Sequence, residues 1–216
     1  MAAKPAVTSY EVFLTGSFPA SDKTMLREVE NRLSLHTDTS FVLHRQDYDF
    51  ALGVTNDFTT LNAANLRGSG QGAPLRVKRD LTAVDGRSSE WTLHTYLKPT
   101  PTYTTAAVRS CCSIPLLSGD ALSFASAMGY KPTATTTRKG YTFLKGSIVI
   151  MLYQLVTSPA ESNLNPWNIE VTHTVTIDGV RNARIPAATL IKNSVDNVVA
   201  VAVLMKGLVD LRPPKL

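Results

Sequence analysis

A mainly β protein is the fold class this sequence predicts: α+β by content, built as a single antiparallel multistranded β-barrel with about three helices packed outside. Three observations point there. Several segments alternate apolar and polar residues with period two, as strands do when one face is buried and the other wet. Asp85-Gly86, Lys145-Gly146 and Asp178-Gly179 supply turn chemistry between such segments. Helical spacing or helix caps occur in only a few stretches, too few for a helical bundle.

Taken in order, Tyr10–Phe18 is rich in β-branched and aromatic residues and suits a first strand. Ser21 and Asp22 offer a helix N-cap. Met25, Leu26, Val29 and Leu33 follow at helical spacing, which predicts an amphipathic helix to about Leu35. Strand character returns over Phe41–Phe50. Periodicity then fades from Thr55 to Ala73, where Gly68-Ser69-Gly70-Gln71-Gly72 predicts a flexible loop. Leu75 and Val77 alternate with Arg76 and Lys78. Trp91, Leu93, Thr95 and Leu97 alternate with Thr92, His94, Tyr96 and Lys98, until Pro99 and Pro101 end the strand. A strand from Val108 is expected to end at Cys111-Cys112, and a helix over Ser118–Met128 to close on Gly129-Tyr130. An apolar hairpin then turns at Lys145-Gly146. Its second arm, Ile148–Val156, is apolar on both faces and needs cover on two sides. Ile169–Ile177 alternates cleanly. At the C-terminal side, a Ser194 cap, Asp196 in the first turn, Lys206 in the last and Gly207 beyond favour a helix ending near Met205, although Val198–Met205 would also suit a strand. No repeat or linker is evident. Residues 1–216 are therefore expected to form a single domain, with 55–73 a loop within it.

Composition narrows the function classes. Of 216 residues, 44% are hydrophobic and 18% charged, which suits a globular chain with a sizeable core. The net charge of +5 is a mild excess that fits an acidic partner without arguing for nucleic acid. Adjacent strand cysteines point to opposite faces, so Cys111 and Cys112 are not expected to bridge, and a reducing compartment follows. Met1-Ala-Ala-Lys-Pro5 contains no signal-peptide hydrophobic region, and Val198–Met205 is far short of a bilayer span. The expectation is a soluble intracellular protein.

Each catalytic constellation fails on residue type or spacing. There is no G-x-S-x-G elbow and no Walker-type loop. His36, His44, His94 and His173 are scattered singly. Glu28 and Glu30 fall on nearly opposite sides of a helix. Asp47 and Asp49 would share a strand face, but a two-strand metal site needs a second pair, and Glu11, Glu90 and Glu170 stand alone. Asp47 and Asp49 are expected to be a solvated strand end. Tyr96 beside His94 and Lys98 resembles a faint stacking platform, but an edge strand with a mixed exposed face accounts for it better. Arg76, Lys78 and Arg79 fit a solvated face as well as a phosphate track. No catalytic, cofactor or metal residue is assigned. Trp91, Tyr96, Phe143, Met151 and Tyr153 are the candidate partner-binding residues.

The block from Val108 to Val156 resembles one family, subunit 18 of the Mediator complex. The residues that carry the likeness are Arg109-Ser110-Cys111, the Leu122–Met128 helix closing on Gly129-Tyr130, Gly140, Phe143, the Lys145-Gly146 turn, and Ile150-Met151 with Tyr153. Tyr10–Ser17 looks like the family's first strand, Leu75-Arg76-Val77 before Trp91 fits, and so does Leu204–Leu211 leading to Pro213-Pro214. Thr55–Ala73 and Arg181–Ser194 match nothing in the pattern. The resemblance implies a barrel related to the RNA triphosphatase tunnel fold, pairing with the barrel of Mediator subunit 20 and holding a C-terminal helix of subunit 8. It further implies a nuclear, non-enzymatic head-module subunit that connects transcription regulators to RNA polymerase II, with no membrane and no direct nucleic-acid contact. The alternatives are a metal-dependent RNA triphosphatase-like tunnel enzyme and a basic RNA-binding barrel.

Overall fold

The computed structural model describes residues 8–52, 74–82, 91–156, 165–178 and 185–214. Along the chain come β1 (Thr8–Phe18), α1 (Lys23–His36), β2 (Thr39–Leu52), β3 (Leu75–Asp80), β4 (Trp91–Tyr96), β5 (Ala107–Leu116), α2 (Ala121–Ala127), β6 (Tyr130–Lys145), β7 (Ile148–Val156), β8 (Trp167–Ile177) and α3 (Ala187–Met205). The strands form a closed antiparallel barrel in the order β1-β5-β4-β3-β2-β6-β7-β8. The expected loop at 55–73, the Asp85-Gly86 turn and Gly179 lie outside the described residues.

Contacts gather the chain into two compact units. The first comprises Met1–Leu43, Lys98–Cys111 and Arg138–Leu216, and the second His44–Leu97 and Cys112–Thr137. In the first unit Val12, Leu14, Val108, Ile150, Leu152, Ile169 and Val171 pack in one core with residues of α1 and α3. Asp22 starts α1 by accepting the Met25 amide at 2.8 Å. Val29 and Leu33, four residues apart, then fall on the buried side. At the far end of α3, Arg32 Nη1 donates to the carbonyls of Leu204 and Lys206, each at 3.2 Å, answering acceptors left open by the last helical turn. Gly207 follows at φ 87°, a left-handed conformation that suits glycine after a helix.

The start of α3 corrects the expectation. The helix begins at Ala187, not after a Ser194 cap. Ser194 is buried inside it, on a stripe with Ile191, Val195, Val198, Val201 and Met205. The Ala-Ala-Thr-Leu-Ile run has helix formers from the outset, and Pro186 bars extension upstream while its carbonyl accepts the Thr189 amide at 2.9 Å. Among the described residues, α3 is the one helix long and apolar enough to cross a membrane. Its buried stripe packs in the core with β1 and β8.

β7 meets its need for cover on both sides. Ile148, Ile150 and Leu152 join the core beneath α1 and α3, whereas Met151 and Tyr153 pack with Leu43. The β6–β7 turn falls at Lys145-Gly146 as expected, with Gly146 at φ 55°. Its amide donates to Asp38 Oδ2 at 2.6 Å and Lys145 Nζ to the His36 carbonyl at 2.9 Å. Gly140 of β6 lies against β7 so closely that a Cβ there would stand 2.8 Å from Tyr153 Cα and closer still to the Leu152 carbonyl oxygen. Gly16 has the same role on β1. A Cβ there would meet Leu211 at 2.8 Å and Val209 at 2.9 Å, so glycine lets residues 209–212 cross the strand. Thr15 and Arg212 then exchange both backbone hydrogen bonds at 2.9 Å.

The second unit has its own core of Phe50, Leu75, Val77, Leu93, Ala121 and Ala125. Its helix α2 is shorter than the expected Ser118–Met128. Asp120 is the cap, accepting the amides of Leu122 and Ser123 and the Ser123 hydroxyl, which together hold its carboxyl below the usual range. β5 runs to Leu116 instead of stopping at Cys111-Cys112, which lie in mid-strand. Nothing in Ser113-Ile114 breaks a strand, and Pro115 stands next to its end, where a missing amide matters least. β4 is not an edge strand, since closure puts it between β3 and β5.

His173 on β8 gives the fold a pH dependence. Its Nε2 lies 2.7 Å from Ser147 Oγ, and its Nδ1 is buried with no hydrogen-bond partner. Burial lowers its pKa from the ordinary 6.5. The unfolded chain therefore takes up this proton at higher pH than the native one. The stabilisation is complete above pH 6.5 and declines as pH falls through 6.5 towards the native pKa. Denaturant titrations between pH 8 and pH 5 should show this loss, and His173→Gln should shallow the slope. Equal slopes for both proteins would overturn the assignment.

Candidate functional site

Many polar residues of the alternating strands are buried: Glu11, Asp47, His94, Arg138, Thr142 and Thr172 are each at most 9% exposed. The period-two pattern thus predicted the strands correctly but not a wet face, because a closed sheet has no open polar side. What keeps the charged ones, Glu11, Asp47 and Arg138, stable there is pairing.

In the first unit, Glu11 stands opposite Arg109 in register and accepts from its Nε at 2.5 Å. The guanidinium lies 4.4 Å from the Phe13 ring centroid. Glu170 Oε2 accepts from Arg138 Nη1 at 2.8 Å and from the Tyr153 hydroxyl at 3.3 Å, and Arg138 lies 4.5 Å from the Tyr153 ring centroid. Carboxylate, guanidinium and aromatic ring recur as one unit in both places. Arginine suits it because its planar fork stacks and pairs at once.

In the second unit the register puts Asp49, Arg76 and His94 side by side, and likewise Asp47, Lys78 and Thr92. Asp47 is fully buried and not the solvated strand end expected of it. Arg45 grips it with both arms of its fork, Nε to Oδ1 at 2.8 Å and Nη2 to Oδ2 at 3.1 Å. Arg76 Nε donates to Asp49 Oδ1 at 2.6 Å, and its guanidinium lies 5.8 Å from the Tyr96 ring centroid. Burial opposes the Arg76 charge, but the Asp49 hydrogen bond and the fields of Tyr96, Asp49 and Asp47 outweigh it and raise its pKa. Arg79 leaves this face and lies 5.0 Å from the Trp91 ring centroid, so Arg76, Lys78 and Arg79 form no single basic track. Glu11, Asp47, Asp49 and Glu170 are each met by a permanently charged guanidinium. Among the described residues no cluster of His, Cys, Asp or Glu is arranged to hold a metal ion.

The five candidate partner-binding residues divide. Phe143, Met151 and Tyr153 are buried in the first unit. Trp91 and Tyr96 are partly exposed in the second, Trp91 with its ring centroid 5.9 Å from that of Tyr48. Sequence reasoning passed over other exposed apolar groups. Leu117 is 95% exposed, Phe124 and Met128 about half so, and in the first unit Val203 is 67% exposed beside an open cleft of ≈ 490 Å³ that Leu208, Val209 and Leu211 help to line. A signal was available. α2 buries its alanines, Ala121 and Ala125, and turns Phe124 outward, the reverse of a helix that only fills a core.

In structure, the chain is similar to one from the Schizosaccharomyces pombe Mediator head module. The TM-score is 0.70 at 17% identity, covering 96% of this chain and 100% of that one. The PH1819 protein of Pyrococcus horikoshii aligns at TM-score 0.57 and 12% identity over 95% and 94% of the two chains. A Mimivirus capping enzyme triphosphatase reaches 0.45 at 11% identity over 91% and 89%. No curated protein matches in sequence. At these identities structural likeness speaks for the fold alone. The family model described as Med18 protein, however, matches residues 11–214. With nearly the whole length so matched, the chain belongs to the Med18 family.

Proposed function

We propose that this protein is a subunit of the Mediator head module that works by protein–protein binding, linking transcription regulators to RNA polymerase II in the nucleus. The observation that carries the reading is the Med18 family match over residues 11–214, and the likeness to a chain of the fission yeast head module supports it. The partners this reading assigns are Mediator subunit 20, barrel to barrel, and a C-terminal helix of subunit 8. Partly exposed Trp91 and Tyr96 and exposed Leu117, Phe124 and Met128 are the side chains best disposed for contact. Phe143, Met151 and Tyr153 are buried and hold the strands of the first unit.

The reading includes an absence of catalysis, and the paired acids support that part. A divalent cation needs carboxylates whose charge is available to it, and here the strand acids are answered by arginines. Affinity purification of the full chain from native extract, read by mass spectrometry, is expected to recover the subunit 20 and subunit 8 homologues together. Recovery of neither in mild salt would overturn the reading. Manganese-dependent release of phosphate from triphosphate-ended RNA by the purified chain would establish the tunnel-enzyme alternative instead.

A further inference from the structure

We infer that Thr100 is a site of phosphorylation by a proline-directed protein kinase. The segment Lys98-Pro99-Thr100-Pro101 follows β4 in the sequence and precedes β5. Proline fixes its own φ and pushes the residue before it into extended conformations, so both Lys98 and Thr100 are held extended by their neighbours. Lys98, Thr100 and Pro101 are exposed. A protein kinase takes its substrate as an exposed, extended segment, and one that selects proline after the acceptor requires no backbone N–H there.

The hydroxyl is also dispensable to the fold. Thr100 Oγ1 donates to the Val108 carbonyl at 3.3 Å, but the Thr100 backbone amide already donates to that same oxygen at 2.8 Å. Val108 therefore keeps a donor when the hydroxyl is esterified. Tyr103 packs against the core of the first unit and anchors the segment, so the acceptor stands at the surface without being swept along by a loose loop. In the transfer, Thr100 Oγ bonds to the γ-phosphorus of ATP, the bond from that phosphorus to the β-phosphate oxygen breaks, the hydroxyl proton passes to the kinase's base, and ADP leaves. The product adds about −1.5 to −2 charge two positions along the chain from exposed Lys98.

The test incubates the folded full chain with a purified proline-directed kinase and ATP, with a control peptide substrate in the same tube, and maps phosphate by tandem mass spectrometry. Phosphate is expected on Thr100 in the native protein and at background in Thr100→Ala and in Pro101→Ala, with all three proteins melting alike. Three results would each overturn the inference. These are an unmodified Thr100 alongside a phosphorylated control peptide, modification of Thr100 only after denaturation, and an unchanged rate in Pro101→Ala. Phosphate confined to Ser158, the other residue in this chain followed by proline in such a motif, counts with the first of these.

Discussion

Gly140→Ala should destabilise the protein by about 3 kcal/mol or more, lowering the melting temperature by roughly 10 °C in a chain of this size. The added methyl group would lie 2.8 Å from Tyr153 Cα and nearer to the Leu152 carbonyl, and both neighbours are backbone. A side chain could swing aside, but a strand cannot move without parting from its neighbours. β7 is also held on both faces, by the helix-side core and by the Leu43 cluster, so it has little room to give. Differential scanning calorimetry of the wild type and the variant measures the effect. An unchanged melting temperature would mean that β6 and β7 do not approach each other as closely as described.

The second large effect separates a structural acid from a metal ligand. Asp47→Ala strips the partner from Arg45, whose side chain is only 17% exposed, and is expected to cost about 3–5 kcal/mol. Asp49→Ala, whose pair with Arg76 is more open to solvent, should cost about 1 kcal/mol or less. Replacing both members of the first pair, Arg45→Met with Asp47→Leu, should recover most of the loss, because no charge is then left buried alone. Urea denaturation of the three variants gives these differences. Carboxylates kept together to bind a cation repel one another, so their removal stabilises an empty site. A gain in stability from Asp47→Ala would therefore favour the enzymatic alternative over the binding role.

How much of this was legible in the sequence depended on whether the signal was local. β1, α1 and the β6–β7 hairpin follow from neighbouring residues, namely a β-branched run, an Asp22 cap before Val29 and Leu33, and a glycine turn. The doubly apolar β7 announced its need for two-sided cover for the same reason. Long-range consequences were not legible. Glu11 looked solitary because Arg109 is 98 residues away, and Glu170 because Arg138 is 32 away. Asp47 looked solvated because only closure of the sheet buries it. The early start of α3 was obscured by Ser194, a residue that reads as a cap until packing places it in the core. The site divided in the same way. The aromatic candidates were chosen by type, and type alone does not separate buried Tyr153 from partly exposed Tyr96. The likeness of the Val108–Val156 block to a known family added what local patterns lacked.

The clasp between Thr15 and Arg212 has a consequence for the order of events during synthesis. The ladder partners of β1 are β5 and β8, and the stretch that lies over Gly16 is translated long after β1 itself. Pairings so distant along the chain form slowly, and until they form the nascent β1 presents a sticky, half-finished edge. Maturation of the first unit must await synthesis of residues 209–212, which makes the nascent polypeptide a natural client for chaperones.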